Sequence, residues 1–571
     1  MIQSADEIVR DTVVQANICI IGGGPAGITL ALELARTGQS IVLLESGDLG
    51  PSDAAQALNV GEVADEKLHS PPDRYRQRCF GGGTSIWGGR CVPFDPIDFE
   101  ARPWMAHSGW PIGYRDVEQF YPAANRLCEA GEYEYDARSA APDGMRPLLR
   151  GFAPRHFDMN GIERFSCPTN FGQRYQAKLR AAPNVRVLLR ATVTRLRASR
   201  DGSRIESVDV RNSHDLPFSV LADQFVLAMG GIETPRLLLT SDDVHARGIG
   251  NANDLVGRFY MCHIAGTIGS LQVNGAKDTV WHGYDVAADG TYCRRRISLR
   301  PDVQAELGLG NVVYRLHHPR IADPCHRTGP LSAIFLAQNF ISYEYAKRLV
   351  SDTPPTASVW LRHGLNAATD ALATIRFLGH WLRDRTLAER KFPSIIIRPR
   401  TNLFSLDFHA EQVPNRDSRI GLAASRDRFG NRQVRVDWRY AGQDVETVAR
   451  SFDLLRADLA EQSVGSLTLA RDETDIETVV RRDGAYGGHH IGTARMGSSA
   501  ATGVVDADGK VFGVNNLHVA GSAVFATSSQ ANPTLTIVAL ALRLAAHLAG
   551  RAALVPDLSS VKQSAMVSQY G

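Results

Sequence analysis

Two short apolar runs near the start of the chain bracket a run of helical period. Asn17–Ile21 (NICII) reads as a buried parallel strand, ITLALELARTG as a helix, and SIVLLE, ending at Glu45, as a second strand. From Asn184 onward the pattern turns to alternation. VRVLLRATVTRLRA, RIESVDVRN and FSVLADQFVLAMGG predict a small sheet whose last strand rejoins the first one at Phe225–Met229. GGIETPRLLLTS then reads as a strand-to-helix turn. Between His263 and Arg482 the texture changes to scattered aromatics and candidate strands such as FPSIIIRP and RQVRVDW. Near the end, ANPTLTIVALALRLAAHLAG predicts a helix that starts at Pro533 with Asn532 as its N-cap. Such a start offers free N–H groups and partial positive charge. These patterns predict an α/β chain with a Rossmann-like nucleotide unit and a sheet-based insert.

One part of the insert has its own period. Leu361, Leu365, Ala368, Leu372, Ile375, Leu378 and Leu382 recur at about 3.5 residues, with Arg362, Arg376 and Arg383 along one flank. This predicts an amphipathic helix over 359–385, weakened by Gly364 and Gly379. The first expectation is a helix packed on its own domain. A subunit contact, with a partner subunit or in a homo-oligomer, and a membrane-surface contact are the alternatives.

Composition narrows the class. At 571 residues the chain exceeds one ordinary domain, and 44% hydrophobic with 22% charged residues is ordinary for a soluble globular protein. A net charge of +2 argues against a polyanion-binding surface and hence against nucleic acid. The eight cysteines form no C-x-x-C pair, so reduced thiols in a cytoplasmic protein are expected. No H-E-x-x-H or similar ligand cluster occurs, and no metal is expected. The first sixteen residues carry Asp6, Glu7, Arg10 and Asp11, unlike a signal peptide. Arg543 and His547 interrupt the best candidate for a transmembrane run, so none is expected.

Three motifs carry chemistry. Gly22, Gly24 and Gly27 satisfy G-x-G-x-x-G between strand and helix, and Glu45 follows where an acid accepts from ribose hydroxyls. An acid there fits FAD or NAD and disfavours NADP. The second motif, RCFGGGTSIWGGR (Arg78–Arg90), is a glycine-rich loop able to lie against a flat ring. The third, GGHHIGTARMG, sets His489 and His490 among glycines.

In order along the chain, GGGPAG…Glu45, GGGTSIWGGR, LAMGGIETPRLLL, DLVGRFYMCH and GGHHIGTARMG…AGSAVF…ANPTLT resemble the glucose-methanol-choline (GMC) family of FAD-dependent oxidoreductases. The C-terminal half is most similar to the branch of pyranose oxidases and bacterial sugar dehydrogenases. The resemblance implies a discontinuous FAD-binding domain over 14–120, 170–262 and 483–555. It implies a substrate-binding domain over 263–482 with part of 121–169. It places the active-site histidine on His489 and its partner on Asn532, with the substrate hydroxyl between them and the flavin N5. Gly22, Gly24, Gly27, Glu45, Gly83, Thr84, Trp87, Gly88, Val193, Gly521, Ser522, Pro533 and Thr534 are the implied FAD contacts.

Two departures from the family pattern bear on the chemistry. Covalent relatives carry a histidine where this chain has Ile86, so non-covalent FAD is expected. Pyranose oxidases carry a flavin-contacting side chain where this chain has Gly88, which leaves oxygen reactivity open. The implied reaction is oxidation of a secondary alcohol, on a sugar or glycoside, to a ketone, with oxygen or a quinone-type acceptor. A non-sugar alcohol or sterol, a flavin-containing lyase, and a scaffold subunit are the alternatives. His490 is expected to be packed behind His489, although a one-residue slip would exchange them. His317, His318 and His409 are expected to be ordinary surface or domain residues. Trp281, Tyr284 and Trp360 are expected in the domain core, with stacking on a sugar face as the alternative.

Overall fold

The computed structural model describes residues 1–141, 143–338, 355–399, 401–469, 475–478 and 489–550. Gly487–Gly488 of the histidine motif, and residues 483–488 and 551–555 of the expected nucleotide domain, lie outside them.

The apolar run at Asn17–Ile21 forms the end of β2 (Val13–Ile21), whose last residues are buried. It lies beside β3 (Ile41–Leu44), buried throughout. Strands β1 (Ile2–Ser4), β4 (Val185–Leu189), β3, β2 and β7 (Pro217–Leu227) form a parallel array in that spatial order. Strands β5 (Thr192–Ala198) and β6 (Ile205–Arg211) extend β7 as an antiparallel meander. Near-continuous apolar strands are what a parallel sheet covered on both faces requires. Helix α1 (Pro25–Leu34) covers β2 and β3, and α2 (Gly230–Thr240) follows β7. The array is completed from far along the chain. Strand β13 (Leu517–Val519) pairs parallel to residues 225–227 of β7. Helix α7 (Thr534–Leu548) then packs on α1.

The second large sheet is antiparallel. Its order is β12 (Gly465–Leu469), β8 (Ile264–Val273), β11 (Leu403–Ala410), β10 (Val312–His317), β9 (Ile297–Leu299) and an edge at Phe157–Asp158. Helix α6 (Gly442–Glu461) lays Val448, Phe452, Leu455 and Leu459 into the core beneath it. The chain is thus mixed α/β: a Rossmann-like unit and a sheet-based unit, as the periodicity implies.

Two local expectations fail. Phe392–Pro399 forms no strand. Its prolines lack ladder donors, and the segment is tied instead to a loop, with Lys391 N–H donating to Cys167 O at 2.8 Å. The 359–385 stripe is not one helix. α4 (Ala357–Thr369) ends at Asp370, and α5 (Ala371–Trp381) runs into a wider π turn at Leu382–Thr386. No helix among the described residues is long and apolar enough to cross a membrane.

Candidate active site

The two units meet around one cavity of about 660 Å³, a size that suits an organic cofactor or substrate. Its walls run from Gly22–Pro25 and Glu45, past Gly82–Gly89, to His489, His490 and Asn532.

At the nucleotide end, the three motif glycines have three different reasons to lack a side chain. Gly22 turns the chain with φ +109°, and a Cβ there would lie 2.5 Å from Ala228 O. A Cβ on Gly27 would lie 1.9 Å from Gly22 O, so α1 packs against the loop only with glycine. A Cβ on Gly24 would meet nothing within 4 Å. That open backbone, at the start of α1, leaves the room that a dinucleotide's pyrophosphate needs. Glu45 braces the loop, accepting from Gly23 N–H at 2.8 Å and Gly47 N–H at 2.7 Å. Each of its oxygens keeps a lone pair for a ribose hydroxyl.

The ring-binding loop is equally open. Gly83 and Gly88 line the cavity, and a Cβ on either would meet nothing within 4 Å. Thr84 Oγ1 donates to Gly81 O and accepts from Phe171 N–H, fixing the turn from beneath. Trp87 Nε1 donates to Thr169 O at 3.0 Å. Ile86, Val193, Gly521, Ser522, Pro533 and Thr534 also line the cavity. An open glycine cradle at one end, an acid beside it and a flat glycine-rich wall fit FAD.

Two matches decide the family. The "FAD dependent oxidoreductase" profile covers residues 17–248, and the "GMC oxidoreductase" profile covers residues 414–541. The chain belongs to the GMC family. This GMC chain is 24% identical to paromamine 6'-oxidase of Streptomyces fradiae, over 94% of this chain and 91% of the relative. It is 45% identical to C-glycoside 3-oxidase of Microbacterium trichothecenolyticum, over 13% of this chain and 14% of the relative. Pyridoxine 4-oxidase from Mesorbium loti has the same fold, with TM-score 0.52 and 17% identity over 94% of this chain and 100% of the other.

The histidine and asparagine that the resemblance singles out meet: Asn532 Nδ2 lies 3.0 Å from His489 Nε2. Asn532 is therefore not the helix cap that the sequence predicts. α7 begins at Thr534, Pro533 occupies the cap position, and no side chain caps the helix. The Asn532 amide is turned to the histidine instead.

The hydrogen-bond directions follow from one carbonyl. His263 Nε2 faces Ser528 O at 3.2 Å, and a carbonyl can only accept. His263 is buried, and burial holds its pKa well below the ordinary value, so it is neutral with its proton on Nε2. Its Nδ1 is then an acceptor for His489 Nδ1–H, 2.9 Å away. That leaves His489 Nε2 without a proton, accepting from Asn532. A carbonyl in the segment between β13 and α7 thus selects the tautomer of a histidine in another part of the chain. Burial, and after it the Arg90 guanidinium, lower the His489 pKa to about 4.

His409, on β11, stacks on His263 with ring centres 4.3 Å apart and lines the cavity. Its Nδ1 donates to Gln530 O at 2.6 Å. His490 belongs to a separate chain of bonds. His69 Nδ1 donates to Ser70 O, which makes His69 Nε2 the acceptor for the Tyr260 hydroxyl at 2.8 Å. The Tyr260 oxygen in turn accepts from His490 Nδ1–H at 2.6 Å. Of the two adjacent histidines, His489 bonds to Asn532 and His490 bonds to Tyr260. Both groups, His263–His409–His489 and His69–Cys262–His490, have metal-ligand composition. Bonds to carbonyls and to one another engage the imidazole nitrogens named above.

Beneath the cavity, Arg90 and Arg315 flank the buried Glu163 carboxylate. Burial alone would raise its pKa, but Arg315 and Arg90 overcome burial and hold it at about 2. Arg294 donates to His317 Nε2 at 3.2 Å, and both line the cavity. His317 and His409 are therefore cavity residues, contrary to expectation. Of the three aromatics considered for sugar stacking, Tyr284 reaches the cavity. Trp281 lies between Arg146 and Arg398, and Trp360 packs on Phe335. His263 closes the DLVGRFYMCH motif, although no role is legible for it there, and no local pattern announces His409 or His317, which arrive on strands β11 and β10.

Proposed function

We propose that this GMC oxidoreductase oxidises a secondary hydroxyl of a sugar or glycoside to a ketone, with His489 as general base. The observation that carries this reading is the bare Nε2 of His489 beside Asn532, opening on a cavity continuous with the dinucleotide loop. Bound FAD supplies the two-electron acceptor for the carbinol hydride. His489 Nε2 takes the hydroxyl proton. Asn532 Nδ2–H, which bonds to His489 Nε2 at rest, is placed to donate to the oxygen as negative charge develops there. Arg90 and Arg294 add positive charge to the cavity wall. We assign the parallel array with β13 and α7 as the FAD-binding unit, and the six-stranded sheet as the substrate-binding unit. Relatives whose names place their action on paromamine and on C-glycosides support the sugar reading.

Anaerobic stopped-flow against sugars, glycosides and simple alcohols tests the substrate class. Bleaching of the flavin by sugars or glycosides is expected, and bleaching by simple alcohols alone would overturn the sugar reading. The base also predicts a pH profile. His489 is unprotonated above its pKa, so the limiting reduction rate should stay level from neutral pH down to about 4 and fall below that. An acid limb near the ordinary histidine value would show that the imidazole is not buried during turnover.

FAD is held without a covalent bond in this reading, because Ile86 offers no nucleophile on the cavity wall. Acid precipitation should leave a colourless pellet and a yellow supernatant. A coloured pellet after washing would show a linkage elsewhere.

A further inference from the structure

The amphipathic stripe faces away from the protein. Leu361, Leu365, Leu372, Ile375, Leu378 and Leu382 are each 53–65% exposed. This is not a core face left open by loose packing, because α4 and α5 have a separate inner face. On that side Val359, Trp360 and Phe377 pack against Ile321, Leu331, Phe335 and Ile397. His363, buried on the same side, bonds to Ser332 Oγ at 3.0 Å and stacks on Phe335 at 4.0 Å. Asp370, at the break, accepts from the first N–H of α3 (Gly329–Leu336) at 2.9 Å and ties the pair down. The two helices are anchored from within and present leucine and isoleucine outward.

Scattered exposed leucines are normal, but a contiguous stripe of six marks a contact surface. Its composition argues for the occupant. Protein interfaces concentrate aromatic residues, methionine and arginine, with leucine under-represented among the residues that dominate binding, so it is the leucine-rich centre that argues against a protein partner. This stripe has leucine and isoleucine at its centre and arginine at its border. Arg362 and Arg376 stand exposed along one flank, and Arg383 follows beside Asp384. From Thr356 to Arg398 the sequence carries seven Lys/Arg against three Asp/Glu, and of these Arg390 and Arg398 bond inward to backbone carbonyls. Half-buried Trp381, with the Arg385 guanidinium 5.0 Å from its ring centre, completes an apolar face with a cationic rim. That combination is the signature of a helix lying in the headgroup region of an anionic bilayer.

The pair is also coupled to the cavity. After the π turn the chain is pinned by Phe392 N–H to Asp384 O, and by Arg390 to Phe165 O and Glu129 O. Phe392 packs on Tyr284 and Tyr292, and the next residues, Pro393 and Ser394, line the cavity. We propose that α4 and α5 form a monotopic anchor that seats this protein on an anionic phospholipid surface, holding the Pro393–Ser394 side of the cavity near the bilayer. Leucine and isoleucine enter the acyl boundary, and the arginines meet phosphate headgroups. This inference does not depend on the identity of the substrate.

The test is co-sedimentation of the full-length, FAD-loaded protein with vesicles of phosphatidylcholine alone or with phosphatidylglycerol added. Partition should require phosphatidylglycerol and weaken as salt rises. The double substitution Leu372→Ser with Ile375→Ser should weaken partition at least about 10-fold, and Arg362→Gln with Arg376→Gln several-fold. All four positions are exposed, so the flavin spectrum and the melting temperature should hold, separating lost docking from lost folding. Absence of partition into phosphatidylglycerol vesicles overturns the proposal. If light scattering then shows a dimer that the Leu372→Ser, Ile375→Ser variant dissociates, the occupant is a second copy of this chain.

Discussion

Replacing His489 with Ala is expected to leave FAD bound while slowing anaerobic flavin reduction roughly 10²–10⁴-fold, the range for a lost general base. FAD should stay because the glycine cradle, Glu45 and the Trp87 loop lie elsewhere on the cavity wall. Reduction should slow because no other group replaces the lost lone pair at the Asn532 amide. His490 is bonded to Tyr260, and His409 is bonded to Gln530 O. The measurement is the limiting rate of flavin bleaching at saturating substrate. A rate equal to that of the unaltered protein would remove His489 from the mechanism and with it the reading of the site.

The second large effect belongs to His263, a positioning residue that acts through His489. His263→Phe should slow reduction by about 10²-fold, the upper range for losing a partner that orients a working imidazole. Without an acceptor at His263 Nδ1, His489 can carry its proton on Nε2, where it neither accepts from Asn532 nor takes a proton from substrate. His263→Asn should recover most of the rate, because its amide oxygen stands near the position of Nδ1. The pH profile separates this from a packing defect. A neutral acceptor at Nδ1–H makes His489 more basic, so its removal should move the acid limb to lower pH. The other groups facing this pair, namely Arg90, Arg315, His409 and His490, are unchanged between the variants. If Asn is as slow as Phe, the effect is packing. If Phe matches the unaltered protein while His489→Ala is slow, the tautomer argument fails and the base assignment survives.

A neutral imidazole cluster fits this chemistry. Burial lowers the pKa of His263, His409, His489 and His490 alike, and each histidine is also lowered by neighbouring charges or imidazoles. A base with a pKa near 4 is weak. The developing alkoxide must therefore be stabilised by Asn532 and by the nearby arginines. Proton and hydride transfers that overlap in time suit such a base better than a free alkoxide would.

The nucleotide half was legible because its signals are local. The Gly22, Gly24 and Gly27 spacing encodes a turn, an open approach and a close packing, and the structure gives each glycine that neighbourhood. His489 and Asn532 were legible through motifs, although forty-three residues separate them in sequence. The cap at Asn532 was misread because local propensity favours Asn before a helix, while a nearby imidazole outweighs one capping bond. His263 ends the DLVGRFYMCH motif, but nothing in that motif shows that it bonds to His489, and His409, inside a neighbouring strand, has no spacing to betray it. His263 meets His489 across 226 residues, brought together by the isolated bridge that pairs Met261 with Ile491.

The sequence by itself determined the nucleotide fold, the cofactor class and the pair proposed to meet substrate, because each rests on backbone demands or motifs fixed over a few residues. Tertiary structure alone decided which nitrogen of His489 is bare, since a carbonyl on another segment sets the proton's place. It also decided which way the leucine stripe faces. Periodicity fixes the phase of a stripe about its own axis, and only the packing of Trp360, His363 and Phe377 on α3 and its cluster shows that the stripe is the outer side.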